Sequence, residues 1–75
     1  MELNEFVKHF ANQFDDTDPS EISAETSFRD LDEWSSLISL SVLNMIEKKC
    51  VVNFTFDDMR NANTVQDLYD IVTSK

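Results

Sequence analysis

The chain contains no glycine, and only one proline, one cysteine and one histidine. Without glycine, the left-handed residue that usually closes a helix has to be asparagine, or the last carbonyls turn to water. Asn53, Asn61 and Asn63 stand where such turns are expected. Cys50 has no internal disulfide partner, which fits a reduced, cytoplasmic setting. His9 and scattered carboxylates offer no metal constellation. Asp15, Asp16 and Asp18 cluster, but they lack the glycine and the bidentate glutamate of a calcium loop and read as a solvated acidic loop. No apolar run approaches the length of a membrane span or a signal-peptide core. Basic residues are also scarce: 6 Lys and Arg face 15 Asp and Glu, for a net charge of −9. That balance opposes contact with a phosphate backbone, so nucleic acid is not an expected partner.

What is present suits one small core. Hydrophobic residues make up 41% of the 75 residues, with six Phe, one Trp and one Tyr among them. Residues 1–75 are read as a single domain, with room for one core and none for a deep, self-contained active site. No acid, base and nucleophile fall together, so an enzyme is not expected. The charge is uneven, since residues 1–34 hold 10 acidic and 2 basic side chains and residues 35–75 hold 5 and 4. The acidic half should steer basic partner surfaces toward the protein, and a charge this far from zero favours a monomer.

Periodicity predicts an all-α fold, a small four-helix bundle with three main helices and one short one. Leu3, Phe6, Val7, Phe10, Ala11 and Phe14 recur every three or four residues, as on the apolar face of a first helix, and His9 falls on its polar, solvent-exposed side. From Asp15 to Ser35 the pattern lapses, and Pro19 limits helix at Asp18, which predicts a long loop. Ile22, Phe28, Leu31 and Trp34 are its expected anchors on the core. Residues 36–49 carry a wide apolar arc of Leu37, Leu40, Val42, Leu43, Met45 and Ile46, with Ile38 at its edge, and form the expected central helix. Val51-Val52-Asn53-Phe54 reads as a connector, since no second strand exists to pair with it. Thr55 with Asp58 and Thr64 with Asp67 make capping-box starts for a short third helix and a last helix.

Ser36 lies where the acidic loop gives way to that central helix. A hydroxyl at a helix head sits where the first amides lack partners and the macrodipole is positive, so an attached anion is favoured by about 0.3–1 kcal/mol when exposed. The hydroxyl has no basic neighbour to activate it, so a separate enzyme has to supply the base for any chemistry there. Leu37 is expected to bury beside it and hold Ser36 outward. Ser35 is expected to cap the helix, and Trp34 to serve as a core anchor. Cys50 reads as a quiet, partly buried thiol. Leu40, Met45, Ile46, Phe54, Met59 and Val65 read as core that can also border a cargo space between helices.

This order of parts, from an amphipathic helix through Ser36-Leu37 after Phe28-Arg29-Asp30-Leu31-Asp32 to Thr64-Val65-Gln66-Asp67-Leu68, resembles the acyl carrier protein family, including the peptidyl and D-alanyl carrier domains. The resemblance spans Leu3 to Val72. It implies a 4′-phosphopantetheine ester on Ser36, made by a phosphopantetheinyl transferase, with acyl intermediates carried as thioesters. An acyl-loading ligase or transferase and a ketosynthase or acyltransferase are the further partners it implies, with Trp34, Ser35, Leu37 and Glu47 surrounding the arm or the docking partner. Where the family usually carries Asp before the serine, and often Gly before that, this chain has Ser35 and Trp34. Its second helix is near neutral, with Ser39, Ser41, Asn44, Glu47, Lys48 and Lys49, which points away from the usual fatty-acid synthase partners and toward a dedicated pathway for a secondary metabolite, surface sugar or lipid. An aminoacyl or peptidyl carrier loaded by an adenylating ligase, and an unmodified interaction module, are the rival readings.

Overall fold

Helix starts in this glycine-free chain are closed by side chains. Thr55 Oγ1 accepts from the Asp58 amide at 3.2 Å while Asp58 Oδ2 accepts from the Thr55 amide at 3.1 Å. Thr64 and Asp67 repeat the exchange, at 3.1 Å in both directions. Both expected capping boxes are formed. At the first helix, the Glu2 amide donates to Glu5 Oε1 at 3.3 Å.

The computed structural model describes residues 1–75, with four α-helices: α1 (Leu3–Ala11), α2 (Ser36–Cys50), α3 (Phe56–Arg60) and α4 (Val65–Thr73). α1 packs on α2 and α4, and α3 packs on α4. The core holds sixteen buried side chains, every one of them apolar. Phe6, Phe10, Phe28, Phe54, Ile46, Leu68, Val42 and Val65 are its largest fully enclosed members.

The loop from Asp15 to Ser35 is long, as expected, but it is not featureless. It contains 3₁₀ turns at Pro19–Glu21 and Phe28–Asp30. Of its expected anchors, Ile22 and Phe28 are buried, and Leu31 and Trp34 are half-buried. Backbone bonds from Val65 to Thr26 at 3.2 Å and from Gln66 to Ala24 at 2.8 Å tie the loop to the head of α4. The loop is thus clamped at both the core and α4, which fixes the segment that delivers Trp34, Ser35 and Ser36.

Four expectations are corrected. Ile38, Val42, Met45 and Ile46 are the buried side of α2, so Ile38 belongs to the core and not to the edge of the arc. Leu37 and Leu40 are 72% and 44% exposed, so neither is buried, and Leu37 cannot hold Ser36 outward by packing beneath it. From Leu37 to Ile46, α2 carries apolar residues on more than one side, and the buried stripe is Ile38, Val42, Met45 and Ile46 rather than the one through Leu37 and Leu40. His9 is half-buried and not fully solvent-exposed. The left-handed turn falls on Val51, at φ 52°, and not on an asparagine. Such a conformation costs about 1–2 kcal/mol for a residue with a Cβ. Val51 is 84% exposed, and the reversal it makes returns the chain so that Phe54 is buried to 2%.

Candidate functional site

The head of α2 is organised by Ser35. Its backbone is extended, at φ −153° and ψ 174°, and its Oγ accepts from the Ile38 amide at 3.3 Å. Its carbonyl accepts from the Ser39 amide at 2.9 Å. Ser35 is therefore the cap, as expected, and its hydroxyl is engaged.

Ser36, the next residue and the first of the helix, is exposed and its hydroxyl bonds to nothing in the protein. Its carbonyl accepts from Ser39 Oγ at 2.8 Å. The amides of Ser36 and Leu37 donate to no protein acceptor. The first turn of α2 carries no acidic side chain. A free hydroxyl beside two free amides at the positive end of a fifteen-residue helix fits an esterified phosphate without displacing any bond of the fold.

Trp34 is half-buried and belongs to an aromatic cluster. Its ring meets Phe28 edge-on at 4.8 Å, lies near-parallel to Phe10 at 6.4 Å and tilts against Phe14 at 6.3 Å. It is the expected anchor. Its open side faces a cavity of about 230 Å³ shared with Arg29, Ser39, Phe56, Met59 and Arg60. Ser39 sits one helical turn past Ser36, so this cavity borders the face that carries Ser36. Arg29 spans the loop and α3, donating to the Met59 carbonyl at 2.7 Å and lying 5.6 Å from the centre of the Phe28 ring.

Glu47 is exposed near the far end of α2. Eleven residues after Ser36 amount to three turns within roughly 20°, about 16 Å along the axis, so Glu47 shares the face of Ser36. Leu37 and Leu40 stand out on the same half of the helix, and Phe56, 47% exposed, lines the cavity. Cys50 is half-buried, and desolvation pushes its thiol above its ordinary pKa, which keeps it protonated and inert.

Reading the sequence missed Glu33. Its carboxylate accepts from the amides of Asp15 at 2.7 Å, Asp16 at 3.0 Å and Thr17 at 2.9 Å, and from the Thr17 hydroxyl at 2.8 Å. No local pattern announces bonds made across sixteen to eighteen residues. Desolvation pushes the Glu33 pKa upward, and the bonds from Asp15, Thr17 and Asp16 outweigh it, leaving the carboxyl below its ordinary value.

The model of the family described as "Phosphopantetheine attachment site" matches residues 5–72. The chain belongs to that family. No curated protein and no solved structure matches it. The match covers all four helices but for the last residue of α4 and the first two of α1. A phosphopantetheine carrier holds 4′-phosphopantetheine covalently, is not itself an enzyme, and works with a phosphopantetheinyl transferase and with partner enzymes. The expected carrier family and helical bundle are thus found.

Proposed function

We propose that Ser36 is the attachment residue of a single-domain, cytoplasmic, monomeric acyl carrier. The observation that carries this reading is the division of labour at the head of α2: the Ser35 hydroxyl is spent on the cap, and the Ser36 hydroxyl is exposed and free. The attached arm would supply a terminal thiol on which an acyl cargo is held as a thioester.

This chain's own residues hold and present the attachment point. Ser35 fixes the first turn, the Trp34 ring braces that turn on the Phe10, Phe14 and Phe28 cluster, and the two free amides favour the anion at Ser36. The cavity between Trp34, Ser39 and Phe56 offers shelter to a short cargo, since about 230 Å³ lies below the roughly 300–1,000 Å³ of ordinary small-molecule sites. Leu37, Leu40 and Glu47 form the docking face with the loop before them.

Exposed leucines with Lys48 and Lys49 at the tail of α2 favour partners that read an apolar stripe more than a row of carboxylates. That supports a dedicated lipid, polyketide or surface-glycolipid pathway, with an acyl ligase or transferase loading the carrier and a ketosynthase or acyltransferase receiving from it. The same near-neutral face supports a second reading, an aminoacyl or peptidyl carrier loaded by an adenylating ligase. Loading assays with amino acids against fatty acids separate the two.

The test of the attachment residue is the intact mass of the purified chain before and after incubation with coenzyme A and a broad-range phosphopantetheinyl transferase. Wild type and Ser35→Ala should gain one phosphopantetheine, and Ser36→Ala none. A gain in Ser36→Ala would move the attachment elsewhere, and no gain in any chain would favour an unmodified interaction module.

A further inference from the structure

Among the loop carboxylates, one binds its own chain unlike the rest. Glu33 takes four hydrogen bonds, all between 2.7 and 3.0 Å, from the turn that follows α1. No cation pairs with it, since the ion pairs of the protein are Arg60 with Asp57 and Lys75 with Asp58. Instead Asp16, Glu21, Asp30 and Asp32 surround the same open cavity of about 580 Å³. Desolvation disfavours the ionised form, so converging amides and a hydroxyl are what hold this carboxylate in place.

Its place in the chain gives the clamp its effect. Glu33 is three residues before Ser36, and the two residues between them are Trp34 and Ser35. The turn it grips follows directly on Phe14, which is buried to 6% and touches the Trp34 ring at 6.3 Å. The end of α1 and the entry to α2 are therefore tied twice, once by stacked aromatics and once by Glu33. The aromatic tie fixes depth, and the carboxylate, reaching three successive amides, fixes the direction in which the segment leaves the turn. Ser35 caps over a long 3.3 Å bond, so the cap alone defines the head of α2 weakly.

We infer that Glu33 is a positioning residue for the Ser36 hydroxyl, setting the orientation of the α2 head through its grip on the Asp15–Thr17 turn, and so governing the rate at which a transferase modifies Ser36. This rests on Ser36 being the attachment residue. Reaction geometry is steep enough for this to matter, since a shift of about 1 Å can lower a rate about 100-fold. The docking face includes the loop that holds Glu33, but the Glu33 carboxylate is spent on the Asp15–Thr17 turn and is not offered to a partner, so the loss should fall on kcat and leave KM unchanged.

Two measurements test it. In the first, phosphopantetheine transfer from coenzyme A is followed for wild type, Glu33→Ala, Glu33→Gln and Tyr69→Phe, at a temperature where all are folded. Tyr69→Phe is the control for lost stability, because it removes only the 2.6 Å bond to the Met1 carbonyl at the chain start. Glu33→Ala should lose at least about tenfold in kcat with KM held, and Tyr69→Phe should match wild type. If Glu33→Ala does not fold, Glu33→Gln, which keeps one acceptor oxygen, carries the same comparison with a smaller loss.

The second measurement is an amide NMR titration of the unmodified chain toward acid. The amides of Asp15, Asp16 and Thr17 should titrate together with those of Ser35 and Ser36, at one midpoint below the ordinary glutamate value. That shared transition should vanish in Glu33→Gln, which excludes Asp15, Asp16, Glu21, Asp30 and Asp32 as its source. An unchanged kcat in the Glu33 variants, a Ser36 amide that ignores the transition, or a transition that survives in Glu33→Gln each overturns the inference. If wild type itself is never modified, the carrier reading fails by that fact, and the titration still decides whether Glu33 sets the geometry at Ser36.

Discussion

Two adjacent serines at the head of α2 should respond to alanine in opposite ways. Ser36→Ala removes a hydroxyl that is exposed and bonds to nothing, and it places the best helix former at the first helical position. Its stability should stay within about 0.5 kcal/mol of wild type, with phosphopantetheine loading abolished. Ser35→Ala removes the bond to the Ile38 amide, and loss of a cap costs about 0.5–2 kcal/mol. At 3.3 Å that bond is long, which puts the cost in the lower part of the range, about 0.5–1 kcal/mol. For a domain of this size each kcal/mol moves Tm by about 4–8 °C. Ser35→Ala should therefore melt about 2–8 °C lower and still be loaded. Calorimetry or circular dichroism melts, run beside intact-mass loading, read both axes. A Ser36→Ala chain destabilised by more than about 1 kcal/mol, or a Ser35→Ala chain that melts like wild type, would refute this assignment of cap and attachment.

Phe28→Ala, at a position with no exposure and with Trp34 and Phe10 against it, should cost about 3–5 kcal/mol, a large part of the roughly 4–11 kcal/mol expected for a chain of this length. Leu37→Ala, 72% exposed, should change urea stability by less than about 0.5 kcal/mol while weakening partner turnover, and a large stability loss there would contradict its outward placement. The Asp67 carboxyl is lowered by bonds from the Asn63 and Thr64 amides. A group depressed in the folded state contributes stability above its unfolded pKa of about 3.9 and loses it as pH falls through the lower folded value. The gap in urea midpoint between wild type and Asp67→Asn should thus be full above about pH 5 and close below about pH 4. A gap that widened on acidification would reverse that sign.

The legible parts of the fold were those made by near neighbours. Thr55 and Thr64 announced their helices because the acidic partner of each capping box lies three residues on, within a single turn. Ser36 was legible as a helix head for the same reason, and the spacing of Phe6, Phe10 and Phe14 placed α1 on the core. α2 was read with its inward face only partly right: Val42, Met45 and Ile46 are buried as expected, but Leu37 and Leu40 point outward and Ile38 is core. Its residues from Leu37 to Ile46 are apolar on both sides, so periodicity allowed Leu37 and Leu40 to be core as readily as Ile38 and Val42.

By itself, then, the sequence determined the helices, the caps at Ser35, Thr55 and Thr64, the family and the serine poised at a helix start, because each depends on residues within a turn of one another or on a pattern along the chain. Tertiary structure alone decided which stripe of α2 is buried, why a valine and not an asparagine takes the left-handed turn after it, and what Glu33 holds. Those outcomes depend on surfaces brought together across long separations: α1 against α2, Phe54 against the core, and the Asp15–Thr17 turn against the entry to α2. Burial is shared among all elements at once, so a local pattern names the candidates and packing chooses among them.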